Sequence, residues 1–266
     1  MGALHEGHAS LIRQARASSE RVLVTIFVNP TQFGPAEDFA RYPRTLESDC
    51  RVAQDAGATA IFVPSIETVY PQGFESASRE AAALALPRVA ILPQLEDAFR
   101  PTHFGGVCQV VARLFDLCAS SQAYFGEKDF QQLRVITEMV RREHARWPGL
   151  TVVPCATVRE PDGLAMSSRN RFLDPPARAC AIGISRALNE ARECTRGVLD
   201  VPSAEARMRT ILEAHGMTPQ YAVIRDGSTL EAVTEHSRCA RALIAATLDR
   251  VRLIDNVAIA LDRPAC

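Results

Sequence analysis

The chain has 266 residues, 47% hydrophobic and 23% charged, enough for one large domain or a medium domain and a small one. Its formal net charge is −1 and its arginines are scattered rather than gathered into a run, so no basic excess exists to make nucleic acid the expected partner. No apolar run approaches the roughly 18 residues of a membrane span, and the start lacks the basic-then-apolar pattern of a signal peptide; the expectation is a cytoplasmic protein with no membrane partner.

In chain order, Met1-Gly2-Ala3-Leu4-His5-Glu6-Gly7-His8 comes first, followed by Ala9, Leu11, Ile12 and Ala15 at helical spacing. A tight turn opening a helix over 9–20 puts His5 and His8 on one face at its N-terminus. Unpaired N–H groups and the helix dipole favour an anion there, and phosphate is the natural candidate. The H-x-x-H spacing is not the i, i+4 pair of zinc-protease helices, and the eight cysteines fall singly without a C-x-x-C pair. They read as reduced apolar residues rather than as zinc ligands.

Arg21-Val-Leu-Val-Thr-Ile-Phe-Val28 is a continuous, β-branched run, as a strand covered on both faces requires, and it points to a parallel sheet. Asn29-Pro30-Thr31-Gln32-Phe33 follows directly, at the strand end where open α/β sheets bind ligands. Asn29 and Gln32 are therefore candidates to hydrogen-bond a small polar substrate, the alternative being that they satisfy turn backbone. Thr45 is a plausible N-cap for a helix through about Gly57, and 59–63 reads as the next strand, closed by Pro64 and Tyr70-Pro71-Gln72-Gly73. The mixed polar and Ala/Leu pattern of 74–98 assigns no elements.

His103-Phe-Gly-Gly-Val107 opens a helix whose apolar period runs to Cys118, with His103 either a polar anchor beneath the site loops or a buried structural histidine. Gln122-Ala-Tyr-Phe125 is a short strand running into Gly126-Glu127-Lys128-Asp129, which opens a helix from Phe130 to about Arg146. Lys128 there offers a mobile charge to phosphate. After a strand over 151–158, Arg159 to Asn170 is a polar, Gly-containing loop in which Ser167, Ser168 and Arg169 can wrap polyphosphate oxygens, more like a lid than a connector. From about Leu173 the texture changes: a long Ala/Arg helix from Asp174, a helix over about 203–215, then strands over 220–224, 241–247 and 251–255. The expected fold class is α/β, a Rossmann-like parallel-sheet nucleotide-binding domain over 1–172 with a small α+β domain over 173–266.

Four pieces in fixed order, Met1 to His8, Phe27 to Phe33, Gly126 to Gln132 and Asp162 to Asn170, with Arg252-Leu-Ile-Asp-Asn256 near the end, closely resemble the pantoate–β-alanine ligase (pantothenate synthetase) family. The H-x-G-H motif alone is shared with the wider nucleotidyltransferase superfamily; the combination is specific. The resemblance implies ATP-dependent condensation of pantoate with β-alanine through pantoyl adenylate, releasing AMP and pyrophosphate, usually in a homodimer, with magnesium accompanying ATP. It implies that Met1, Gly2, Ala3, Leu4, His5, Glu6, Gly7 and His8 line the ATP site, with His8 as proton donor. It places Gly126, Glu127, Lys128, Asp129 and Val158 on the nucleotide, with Lys128 on phosphate oxygens, and Gln32 and Gln132 on pantoate, Gln32 also touching β-alanine. Met166, Ser167, Ser168 and Arg169 complete the set as a mobile loop, Ser167 and Arg169 acting with His5, His8 and Lys128 in the chemistry, and Asp49 is the candidate metal ligand. In the family the first motif follows about two dozen residues that include a central strand; this chain starts at the motif, and the expectation is a truncated start. Two other readings remain open on sequence: another H-x-G-H adenylyltransferase, which has no use for Gln32 with Gln132, and an inactive truncated homologue.

Overall fold

The computed structural model describes residues 2–33, 39, 43–195 and 200–261. The chain divides into two compact units, 1–156 and 157–266. The sequence-based boundary at 172/173 falls inside the second unit, so the polar loop over 157–172 is grouped with the C-terminal residues.

In the first unit, α1 (Glu6–Ser18) buries Ala9, Ile12 and Ala15, the stripe that the helical spacing predicts. They join Val22, Ala53 and Ala56 in a small core, with Leu4, Val24, Ile61 and Tyr124 packed around it. The guanidinium of Arg16 donates to the carbonyls of Ser19 (3.1 Å) and Glu20 (2.7 Å), satisfying acceptors just past the helix end. Strand β1 (Leu23–Thr25) pairs in parallel with β2 (Ala60–Phe62) across α2 (Leu46–Asp55), the right composition for a βαβ unit. Ladder pairing covers only the middle of the expected 21–28 strand, extended by one bond from Ile26 N–H to Phe62 O.

After β2 comes α3 (Ile66–Val69), and the segment 74–98 that the sequence pattern left unassigned contains α4 (Phe74–Ala83) and most of α5 (Glu96–Phe99). Helix α6 (His103–Cys118) follows, then β3 (Gln122–Gly126), α7 (Phe130–Arg142) and β4 (Thr151–Cys155), with β3 and β4 again parallel. Among the described residues the parallel strands form two separate pairs rather than one continuous sheet. The expected parallel α/β architecture thus holds.

The second unit carries α8 (Pro175–Cys180), α9 (Gly183–Cys194), α10 (Val201–Ala214) and an antiparallel sheet β5 (Thr218–Asp226), β6 (Ala240–Leu248) and β7 (Val251–Ile259), with β6 central. The single long Ala/Arg helix expected after Asp174 is instead two helices. At Gly183, where the second begins, a Cβ would come within 2.7 Å of the His215 side chain, so only glycine allows that approach. Met208, Leu212, Ile184 and Leu188 pack with Ile224, Ala242 and Ile244 in one continuous core. No helix among the described residues is long and apolar enough to cross a membrane.

Candidate active site

The N-terminus of α1 is capped by its own two histidines. His5 is the N-cap; its Nδ1 accepts from Gly7 N–H (3.1 Å), while Nδ1 of His8 accepts from His5 N–H (3.2 Å), a capping box built from imidazoles. A nitrogen that accepts a backbone N–H carries no proton, so both rings hold theirs on Nε2. The ring centroids are 4.1 Å apart. Burial first, then the adjacent His5, then the N-terminal amine and last the charge of Lys128, lower the pKa of His8 to about 3. His8 is therefore a neutral hydrogen-bond donor at physiological pH, standing where the helix end favours an anion.

Asp49 does not have the open coordination expected of a magnesium ligand. It is 1% exposed. Its carboxylate accepts from Ala3 N–H (2.9 Å), Leu4 N–H (2.7 Å) and the Thr45 hydroxyl (3.0 Å). The carboxylate on α2 thus fixes the turn before α1, including Ala3 at a left-handed φ of 51°. Gly2, Ala3 and Leu4 belong to this turn; Glu6 is exposed and ion-paired with Arg13; Met1 lies outside the described residues. Among the described residues no group of three or more His, Cys, Asp or Glu side chains could hold a metal ion.

Beyond β1, Asn29 is buried, and its own chain uses its amide fully. Nδ2 donates to Gly106 O (3.0 Å) and Gln32 Oε1 (3.4 Å), and Oδ1 accepts from Thr31 N–H (3.3 Å), the Thr31 hydroxyl (3.1 Å) and the Tyr70 hydroxyl (2.7 Å). Asn29 therefore organises the loop rather than meeting a substrate, a correction to the sequence reading. Tyr70 donates there, and burial pushes its pKa up to about 12. Nδ1 of His103 faces Gln32 O at 3.1 Å and its Nε2 faces the Arg100 guanidinium at 3.3 Å, which requires the Nδ1–H tautomer. His103 is buried with both ring nitrogens engaged by its own chain, so its two readings coincide in a satisfied structural histidine that anchors the loop after β1. Gly106 makes this approach possible: a Cβ would sit 2.4 Å from Thr31 O and 2.6 Å from Gln32 Cα.

Lys128 lies in the short 3-10 turn Glu127–Asp129 between β3 and α7, its Nζ 3.7 Å from the Asp129 carboxylate. Gly126 precedes it with open space where a Cβ would be. On α7, two adjacent glutamines have opposite roles. Gln131 is buried, donating to Val89 O (2.9 Å) and Asp97 Oδ1 (2.8 Å) and accepting from Glu96 N–H (2.9 Å). Gln132 is half-buried, and its side-chain amide makes no hydrogen bond to the described residues.

The remaining expected residues belong to the second unit. Met166 N–H donates to Val158 O (3.0 Å), closing a hairpin whose turn passes through Gly163 at φ 93°. Ser167 caps the 3-10 turn Ser168–Phe172 by accepting Arg169 N–H at 3.3 Å, so Met166, Ser167, Ser168 and Arg169 sit on a formed turn.

The family model "Pantoate-beta-alanine ligase" matches residues 1–258. The chain belongs to the pantoate–β-alanine ligase family. Pantothenate synthetase of Rubrobacter xylanophilus is 48% identical over 97% of this chain and 89% of its own length, and that of Bacteroides thetaiotaomicron 44% over 97% and 88%. The crystal structure of pantothenate synthetase from Thermus thermophilus superposes with a TM-score of 0.87 at 41% identity, covering 97% of this chain and 90% of that one. A Francisella tularensis pantoate-beta-alanine ligase, solved with beta-gamma ATP and beta-alanine, gives 0.75 at 30%, covering 97% and 87%.

Three residues have structural roles that the sequence reading did not assign. Tyr70 carried one signal, an aromatic in a Pro-Gln-Gly turn after a strand; Gln131 carried none that separates it from Gln132; and Asp49 was singled out for the wrong task, because a buried carboxylate serving backbone N–H groups reads like any acidic residue in a first helical turn.

Proposed function

We infer that the chain is a ligase that condenses pantoate with β-alanine at the expense of ATP, forming pantothenate, AMP and pyrophosphate. The observation that carries the reading is the paired histidine cap of α1, with the Lys128 charge acting on His8 and with Gln132 bearing an uncommitted amide on α7. A carboxylate is a poor acyl donor, so the protein's tasks are to position two anions in line and to neutralise charge.

A pantoate carboxylate oxygen attacks the α-phosphorus of ATP; the bond from that phosphorus to the bridging oxygen breaks, and pyrophosphate leaves. The neutral amine of β-alanine then attacks the acyl carbon of pantoyl adenylate. The acyl–oxygen bond breaks, AMP departs, and the amine's surplus proton goes to solvent or a phosphate. In this scheme the Nε2–H of His8 donates to a phosphate oxygen, and the added anion raises the affinity of His8 for a second proton. In the first unit His5 and Gly126 to Asp129 serve the nucleotide; in the second, Val158 and Met166 to Arg169 are the nucleotide candidates. Lys128 supplies a point charge, and Gln32 and Gln132 hold pantoate.

In this reading magnesium accompanies ATP, held largely by its phosphates and water. A homodimer in the cytoplasm completes the proposal. The test is AMP release by the purified chain with MgATP and pantoate, with and without β-alanine. AMP formation that requires both organic substrates supports the reading; a folded chain that binds ATP yet forms no AMP with both present overturns it.

A further inference from the structure

The Arg252 to Asn256 motif has no part in the chemistry above, yet it holds one of the most buried charges in the second unit. Asp255 on β7 is 3% exposed. Arg159 meets it with both arms of its guanidinium, Nη1 to Oδ2 at 2.6 Å and Nη2 to Oδ1 at 3.1 Å. The same two nitrogens donate to Gly163 O (3.0 Å) and Asn256 O (3.3 Å), and Asp255 Oδ1 also accepts Asn256 N–H (2.8 Å). One guanidinium therefore ties β7 to both ends of the 159–163 turn.

That turn is the near end of the hairpin bearing the loop. Arg159 bridges Ala165 across it, Glu160 N–H donates to Leu164 O (2.8 Å) and Met166 N–H to Val158 O (3.0 Å). Asn170 Nδ2 returns to Ala165 O (3.1 Å). Gly163, at a left-handed φ of 93°, faces Ser185 of α9, whose Oγ would be 3.2 Å from an added Cβ. The hairpin is thus pinned at its turn while residues 166–169 continue from the end of its second arm. We propose that Arg159 and Asp255 are positioning residues: the buried fork sets the register and direction of the arm that delivers Met166 to Arg169 to ATP. This inference rests on the proposed role of Met166 to Arg169 at the nucleotide.

A bidentate pair is the right device because its two parallel bonds fix orientation as well as distance, which lysine's single ammonium cannot do. The variants are R159K, which leaves a cation beside the buried Asp255, and D255N, which keeps shape but removes charge; R169A is the control for the loop itself. Steady-state kinetics are read against each substrate separately, and melting temperature is read in parallel. The expected result for R159K is an ATP KM raised roughly tenfold to a hundredfold, with the KM for β-alanine nearly unchanged. R159K combined with R169A should show little loss beyond R169A alone, because both act on one contact. Trypsin should also cut faster after Arg169 and Arg171 in the variants.

If R169A leaves the ATP KM unchanged, the loop's nucleotide role fails and this inference falls with it. If R169A raises the ATP KM but R159K lowers only the melting temperature, the nucleotide role stands and the positioning role is overturned. Should D255N fail to fold, R159K carries the same reading.

Discussion

At the residue scale, the capping geometry makes His8 a donor rather than a cation. With Nδ1 occupied by His5 N–H, the Nε2–H is the group it can present, and removing one such preorganised donor typically costs about a hundredfold or more in rate. H8A should therefore reduce AMP formation by at least about a hundredfold with the fold retained, and H8Q, whose amide can still donate, should lose less. The acid limb gives an independent check. The ordinary imidazole value is 6.5 and the folded value is about 3, so between these the unfolded chain binds a proton that the native chain refuses. His8's contribution to stability is thus fully present above pH 6.5 and is lost as the pH falls through that window. Urea midpoints measured from pH 7 to pH 4 should decline less steeply in H8Q than in the parent chain. Equal slopes would contradict a neutral buried ring.

At the scale of elements, α6 illustrates how a helix with no chemistry of its own sets the loop after β1. Its Gly106 touches the carbonyl of Thr31, accepts from Asn29 on its own carbonyl, and lies one turn from His103, which holds the carbonyl of Gln32. G106A would drive a methyl into backbone rather than into a flexible side chain, so the loop or the helix must move, at a cost of about 1–3 kcal/mol. The expected outcome is a lower urea midpoint together with a raised pantoate KM, whereas an unchanged pantoate KM would show that the loop does not place Gln32. What the sequence disclosed follows the same line. The strand-to-loop and strand-to-helix junctions were legible, because an apolar run ending in Asn29-Pro30 or Gly126 can be read locally. Saturation was not legible: whether Asn29 or Gln131 serves its own chain depends on Gly106, Tyr70, Val89 and Asp97, all remote in sequence. The short helices between 66 and 99 were equally hidden, since four-residue turns such as Ile66–Val69 and Glu96–Phe99 carry too little periodicity to register.

At the scale of the whole molecule, the two units are built to different standards of cooperativity. In the second, β6 is paired along all nine residues with β7 and along 240–247 with β5, and Ala242, Ile244, Ala245 and Ala246 are fully buried. In the first, β1 and β2 pair over only three residues each, and the core behind them centres on alanines, with Ile12 and Val22 the larger buried members. Apolar burial and two-sided hydrogen bonding both resist local opening, so protection from hydrogen exchange should follow this contrast. The β6 amides should exchange last, and those of β1 and β2 sooner by a factor of about a hundred, equivalent to roughly 3 kcal/mol of opening free energy. MgATP should then redistribute protection unevenly: at a hundred times its dissociation constant it adds about 2.7 kcal/mol to the states that bind it. The amides of Ala3 to Ala9, where Asp49 and the two histidines set the turn, should slow markedly, while β6 changes little. Uniform protection across both units, with a uniform response to MgATP, would mean that the chain opens as one cooperative body and that the low stability of the nucleotide end is not a property of the fold. The uneven outcome would identify the first unit as the part whose order depends on its substrate, which is where a ligase that must admit two anions and release two products needs its freedom to open.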